Sequence, residues 1–579
     1  MHLPRLTEPK RTKRTVKVFA GYDHTDACAE GWFYEEENLS SRSWPALRPR
    51  LPRTKVQQLT KPHGLYAKNG LLWVDGTRLF YNGLDVGQVA DSDKQFCGMG
   101  SKVLIWPDKL CFDTVDQSLK PLGAKWQADG NVTTSPVLED GREYTISYTG
   151  SVPPEKPGNG EYWMDTSGGG AVLRVYSEAS GSWGAVPTTY VKLAAKGIGT
   201  AFAKYDTVHI SGFSSADVGE LAESLNTDCI LWDQGEDYVT VTGLASKVAV
   251  QTPQSGVVTL ERRVPDLDYL TQQDNRIWGC CSVDHTIYAC KQGDPTNWFN
   301  YMGTAADSYA VTVGSDGDFT GAATCMGYVL LFKAGCIHKV YGTKPSNYQI
   351  TTVLCSGVQK GAAETLVLAQ GALHYLAPEG MVRYDGSLPT AFGSKLGTIH
   401  YGKGAAGAVG DKLYFALTSV KGSQVLFTWD MTRGVWHKED ALDVMQFSAD
   451  GNTLYALSRD GALWAMGCED DPYEDHSGRE QQVRWSAETG DIGLYDAENR
   501  FVSRLVLRLA GQKETKLQIF ASWDGGSWEL LASRILANEH TLLLPILPQR
   551  CSRMRLKLVG VGDVRLYSIS KVQEQGSEL

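Results

Sequence analysis

Four glycines set the frame for this chain: Gly327, Gly371, Gly410 and Gly451 stand 44, 39 and 41 residues apart, and each opens the same short pattern. A turn residue leads into an alternating apolar strand, a second turn follows, and a second strand returns. Three earlier stretches carry the pattern as well, so that it occurs at 69–81, 100–112, 276–290, 327–341, 371–384, 410–436 and 451–464. In the first, Asn69-Gly70 precedes Leu71-Leu72-Trp73-Val74; in the second, Gly100 precedes Val103-Leu104-Ile105-Trp106. A step of about 40–45 residues is that of a four-stranded propeller blade. Period-2 alternation runs through these units and helical periodicity does not. The expectation is an all-β chain: a roughly seven-bladed β-propeller with an inserted small β domain and a C-terminal β-sandwich.

Composition agrees. The 61 Gly supply turns, and 16 Trp with 26 Tyr suit pleated, half-buried surfaces. At 579 residues the chain exceeds one compact core. We place an extended N-terminal docking arm at 1–62, blades at 63–126 and 266–468, and an inserted β region at 127–265. An acidic linker follows at 469–483, then a sandwich at 484–571 and a mobile tail at 572–579. Within the insertion, Gly160-Glu161-Tyr162-Trp163-Met164-Asp165-Thr166 with Gly181-Ser182-Trp183 forms a compact β motif, and one helix is expected from Ser215 to Leu225. Asp524-Gly525 predicts a hairpin turn in the sandwich.

Net charge is −10, yet residues 1–62 hold 12 Lys/Arg against 7 Asp/Glu, which leaves −15 on the rest. An acidic body argues against a general nucleic-acid binder. The basic, proline-rich run from Arg42 to Arg53 is expected to be an arm laid on a neighbouring subunit, with Trp44, Arg48, Arg50 and Arg53 as its contact residues, because extended proline-rich segments lose little entropy on docking. No apolar run is long enough to span a bilayer, and the basic start has no apolar segment behind it, so no secretory signal is expected. The 12 cysteines lack zinc or CxxC spacing and are expected to be buried thiols of a protein made in a reducing cytoplasm.

Motifs that could carry chemistry fail their context. Gly402-Lys403-Gly404-Ala405-Ala406-Gly407 matches GxGxxG in letters but lacks the flanking strand and helix of a dinucleotide site, and is expected to be an inter-blade loop. Ser315-Asp316-Gly317-Asp318 lacks the further ligands of a calcium loop and is expected to be a type I′ turn. Ser458-Arg459-Asp460-Gly461 and Ser522-Trp523-Asp524-Gly525 look like the Asp-box turns of sialidase propellers, which stabilise hairpins and do no chemistry. No catalytic, cofactor-binding or metal-ligating residues are assigned, and no enzymatic activity or cofactor is expected.

Several segments together resemble a family. Glu37-Asn38-Leu39-Ser40-Ser41 followed by Trp44-Pro45-Ala46-Leu47-Arg48-Pro49-Arg50 is similar to the segment that precedes the propeller of bacteriophage tail nozzle or hub proteins. Phe332-Lys333, His338-Lys339-Val340-Tyr341-Gly342, Ser356-Gly357-Val358-Gln359-Lys360 and Tyr384-Asp385-Gly386 resemble blades of the same proteins. The 160–183 motif is similar to a small module of phage tail components, and residues 501–570, with Pro548-Gln549-Arg550-Cys551, resemble the C-terminal sandwich of related prophage proteins. The resemblance implies a virion protein, assembled in the bacterial host cytoplasm, that forms a homo-oligomeric ring of six copies. It would meet other tail or connector proteins and let viral DNA pass. The alternatives are a receptor- or glycan-binding tail protein and, less favoured, a carbohydrate hydrolase.

Overall fold

The computed structural model describes residues 11–168, 172–245, 257–492, 500–547 and 551–575. The chain is all-β: a roughly seven-bladed β-propeller with an inserted β domain and a C-terminal β-sandwich. Seven four-stranded antiparallel meanders make the blades, at 62–88, 95–121, 269–312, 319–354, 367–391 and 401–439, and at 444–465 completed by strand Thr54–Gln58. The chain divides into two compact units, residues 1–95, 317–339 and 352–579 in one, 96–316 and 340–351 in the other.

The leading glycines do what their spacing implied. Gly327, Gly371, Gly410 and Gly451 all have positive φ. Asp274-Asn275, Met326-Gly327 and Gln370-Gly371 each place two successive residues at positive φ between paired strands, the geometry of a two-residue hairpin that matches strand twist. The second strand of each blade is the most buried; Arg276–Cys281, Ala372–Ala377 and Thr453–Ser458 are buried at every residue. In the first unit Leu330, Phe332, Leu373, Tyr375, Leu413, Phe415 and Trp436 share one apolar core.

Two turn expectations are corrected. Residues 402–407 are no loop: they lie inside strand Tyr401–Val409. Their glycines are packing devices, since a Cβ on Gly404 would stand 2.5 Å from the Ala416 carbonyl and one on Gly407 2.6 Å from Phe447. At 315–318 only Gly317 takes positive φ, so the type I′ turn does not form.

In the second unit, strands Ala124–Gln127 and Thr259–Arg262 pair and close the insertion at its base. Two four-stranded sheets enclose Val132, Leu193, Ile210, Leu225, Val239 and Leu260. A third sheet, of strands Ile146–Gly150, Tyr162–Asp165, Val172–Ser177 and Ser182–Ala185, grows out between Val137 and Thr188. The expected helix is two short turns, Ser215–Val218 and Leu221–Leu225, broken at Gly219 with φ 60°.

The sandwich is built on two long strands. Arg500–Trp523 runs beside Glu529–Pro545, and Asp524-Gly525 makes the turn with positive φ at both residues. On its other side Arg500–Trp523 pairs first with Val564–Gln575 and then with Met554–Val561, so one strand serves both layers. The pairing with Glu529–Pro545 shifts register between Gly511 and Thr515, where Glu514 and Asn538 take φ near 70°. Leu505, Leu507, Leu509, Leu517, Ile519, Leu556 and Leu558 fill the interior.

The N-terminal segment is not a free arm. Strand Arg11–Val16 pairs with Val564–Gln575, and Trp32–Glu37 pairs with Arg484–Thr489, so both belong to the sandwich. Strand Thr54–Gln58 pairs with Ala462–Ala465 and completes the last blade. The expected tail is likewise strand as far as Gln575; residues 576–579 and 548–550 lie outside the described residues.

Candidate functional site

Residues 38–55 form a strap whose basic side chains meet acids of the same chain. Leu39–Ser40 pairs with Arg48–Pro49, folding the segment back on itself around the Trp44-Pro45 bond. Trp44 is half-buried. Arg48 forms two hydrogen bonds to Asp563, one of them 2.8 Å long, and Arg42 donates to the same carboxylate at 2.8 Å. Two guanidiniums thus sit on one acid of the sandwich.

Arg50 and Arg53 go deeper. Arg50 donates to Asn38 Oδ1 at 2.8 Å, to Glu480 at 2.6 Å and to Asp440 at 3.1 Å. Arg53, with 2% of its side chain exposed, donates to Glu439 at 2.5 Å and lies 2.9 Å from Asp440. The Arg53 backbone N–H donates to Glu480, so that acid binds the strap twice. Burial opposes the charges on Arg50 and Asp440, but their partners outweigh it. Arg50 is raised above the usual arginine value by Glu480, Glu439 and Asp440, and Asp440 is held below the usual carboxylate range by Arg53 and Arg50. A buried ion-pair cluster of this kind adds little net stability over an apolar replacement, but removing one member leaves an unpaired buried charge.

The strap extends upstream. Glu36, fully buried, accepts from His437 Nδ1 at 2.8 Å and from the Lys438 backbone N–H, while Ser41 donates to Asp430. The sequence singled out Arg48, Arg50 and Arg53 but missed their partners Glu439, Asp440, Glu480 and Asp563. Lys438-Glu439-Asp440 at the end of a blade, and Glu480 in the acidic linker, were the available signal. The three arginines are therefore held by acids of the same chain, where the sequence expectation had given them to a neighbouring subunit.

Glu439, Asp440, Glu480 and Asp563 are each bound by at least one arginine. Among the described residues no group of three or more His, Cys, Asp or Glu is arranged to hold a metal ion. None of the twelve cysteines is in a disulfide, and seven are buried.

The outgrown sheet in the insertion presents a second grouping. Trp183 meets Trp163 at 5.4 Å, Tyr176 at 5.3 Å and Tyr148 at 6.5 Å between ring centroids. Trp163 is buried while Trp183, Tyr176 and Tyr148 are half-buried, so one face of this sheet is aromatic and reachable.

No family model matches the chain, and no curated protein matches it. Among solved structures it is similar to an exo-beta-1,3-galactanase from Phanerochaete chrysosporium, with TM-score 0.21, 9% identity and coverage of 52% of this chain and 94% of that one. BamB from Moraxella catarrhalis matches with TM-score 0.25, 9% identity and coverage of 73% and 98%. A putative 6-phosphogluconolactonase from Bacteroides fragilis matches with TM-score 0.23, 13% identity and coverage of 57% and 89%. Likeness this slight carries no argument about ligands or chemistry.

Proposed function

We propose that this chain is a structural virion protein of a bacteriophage tail, a subunit of a ring at the nozzle or hub that continues the DNA-ejection channel. The observation that carries this function is the strap: residues 11–58 stitch the last blade and the sandwich together through strands and buried ion pairs. Such stitching resists separation of the parts it joins, which suits a component under mechanical load. The resemblance of residues 37–50, 332–386 and 501–570 to nozzle and hub proteins supplies the ring, its six copies, and neighbouring tail or connector proteins as partners. The −15 balance outside residues 1–62 repels DNA phosphates and favours sliding over sticking. Assembly would occur in the host cytoplasm, with no cofactor. Among the described residues no helix is long and apolar enough to cross a membrane.

Light scattering with negative-stain imaging tests this. Closed rings of the purified chain, or of the chain with other tail proteins, are expected; a monomer that never enters rings or tails overturns it. The aromatic face around Trp183 favours a second function, receptor or glycan binding. Sugar-array binding by the wild type that is lost in Trp183→Ala would establish that one.

A further inference from the structure

We infer that the C-terminal sandwich binds a single-chain amphiphile, an aliphatic chain of medium length ending in a carboxylate, in a cavity that opens off its core. This goes beyond ring formation, because every residue that lines the cavity belongs to one copy.

The cavity measures about 380 Å³. Phe19, Phe33, Leu505 and Leu556 line it, and each is also a buried member of the sandwich core. Strands Arg11–Val16 and Val564–Gln575 add Val16 and Ile569, which stand opposite each other in the pairing and pack against that core. Residues 27–31, just before strand Trp32–Glu37, complete the wall. Protein interiors are packed to the density of organic crystals, and voids larger than a water molecule are few. Apolar walls give water no hydrogen bonds, so a space of this kind favours an apolar guest. A methylene group is about as large as the roughly 30 Å³ a water molecule takes in the liquid, so the space accepts about a dozen carbons. Size and lining both fall in the range of small-molecule sites.

The charges in the wall leave one cation unanswered. Arg14 and Lys571 are directly opposite each other across the strand pair, on the same face as Val16 and Ile569, and Lys571 is opposite Leu505 on its other side. Both cations therefore stand on the core side of their strands, where like charges directly opposite repel. Glu30 answers one of them. It accepts a hydrogen bond from the Lys571 ammonium, whose side chain is 7% exposed, and lies 4.0 Å from Arg14 Nη1, beyond hydrogen-bond distance. Among the described residues no other acid reaches Arg14. Asp491, the second acid of the wall, is held by Arg553 and Arg555. Burial pushes the Cys28 thiol up to about 11, so it adds no negative charge at neutral pH.

An apolar cavity beside an unanswered guanidinium fits a ligand that is apolar along its length and anionic at one end. A carboxylate matches the guanidinium fork with two parallel N–H···O bonds, and the Lys571 ammonium beside it can donate a third. A neutral hydrocarbon would leave the repulsion between Arg14 and Lys571 as it stands, and a cationic amphiphile would add to it. The Arg14 side chain is 53% exposed, which puts the head at the mouth and the chain against the core residues.

Isothermal titration calorimetry of the full chain with dodecanoate, kept below its micelle concentration, tests this. One molecule per chain is expected, with a negative heat-capacity change from apolar burial. Each two carbons removed from the chain should weaken binding about tenfold, and carbons added beyond the capacity of the cavity should bring no gain. Arg14→Gln is expected to weaken dodecanoate about tenfold and to leave dodecanol, the neutral analogue, within about twofold. Val16→Trp, which fills the space from the core side of its strand, should remove binding of both. Thermal unfolding of each variant checks that it is folded. The absence of dodecanoate binding, or an affinity indifferent to chain length, overturns the inference. Equal losses of dodecanoate and dodecanol in Arg14→Gln, or dodecyltrimethylammonium bound as tightly as dodecanoate, overturns the anionic head. Negative-stain imaging separates this from the proposed ring: rings from a chain that binds no dodecanoate would sink the cavity alone, whereas binding by a chain that never closes into rings would sink the nozzle function alone.

Discussion

The strap and the long sandwich edge sit in the same unit and have opposite fates. The strap is charged, rich in proline, and paired within the chain: Arg50 and Arg53 are buried against Glu439, Asp440 and Glu480. The edge, strand Glu529–Pro545, exposes Leu530, Ile535 and Leu543, and among the described residues no strand pairs along its outer side. Composition alone would assign them the other way, since a basic arm looks available and a leucine-rich strand looks like core. The difference teaches that charge marks a need for a partner without saying whether the partner lies on the same chain. A strand's apolar content likewise says little about whether both of its sides are covered.

The largest effect should come from breaking the strap. Arg53→Ala leaves Glu439, itself buried, facing Asp440 with one cation fewer. We expect a loss of about 3–5 kcal/mol in urea unfolding followed by near-UV circular dichroism. Arg53→Met/Glu439→Leu removes both charges and should recover most of that loss. If Arg53→Ala unfolds at the wild-type midpoint, the strap bears no load and the contrast with the edge disappears.

Sequence disclosed the blades well, and for a physical reason. Their hairpins need two successive positive-φ residues, which Gly, Asn and Asp supply, and their inner strands need continuous apolar runs, so Asp274-Asn275, Gln370-Gly371 and Ala372–Ala377 announce themselves. The insertion and its small aromatic sheet were legible for the same reason. The strap was not. Strands Arg11–Val16 and Trp32–Glu37 find partners 449 or more residues away, and nothing local to Arg50 names Glu480. Residues 402–407 misled because a glycine written into a strand for close packing looks the same as one written into a loop. The open side of Glu529–Pro545 was hidden too, because alternation reports which face of a strand is buried and never which edge.

Acid separates the two regions next. His338 and His374 lie in the blades, and burial holds each down to about 4, helped by Lys333 and Arg383 respectively. Their folded value is below the unfolded one near 6.5, so the unfolded chain binds the extra proton and stability falls as pH drops from about 6.5 toward 4. His374→Gln should remove on the order of 2–3 kcal/mol of that decline, read from urea midpoints between those pH values. Asp440 and Glu480 are depressed by Arg53 and Arg50, so their contribution is complete above the ordinary carboxylate range and is lost only as pH falls below it. The strap should therefore outlast the histidine transition.

The smallest effect on stability should come from the edge itself. Ile535 contributes nothing to the interior, and its neighbour across the pair, Lys516, is exposed as well. Ile535→Lys exchanges one solvated side chain for another, so the unfolding free energy of the isolated chain should stay within about 0.5 kcal/mol of wild type. The matched change inside the same sandwich, Leu507→Lys, would bury an unpaired ammonium among Leu505 and Leu509 and should prevent folding. Urea unfolding measures the first. A loss above about 2 kcal/mol for Ile535→Lys would mean that the edge is covered within one chain after all. It would then be a second strap, and the contrast between a region paired in cis and one left open would fail at the point where it is simplest to measure.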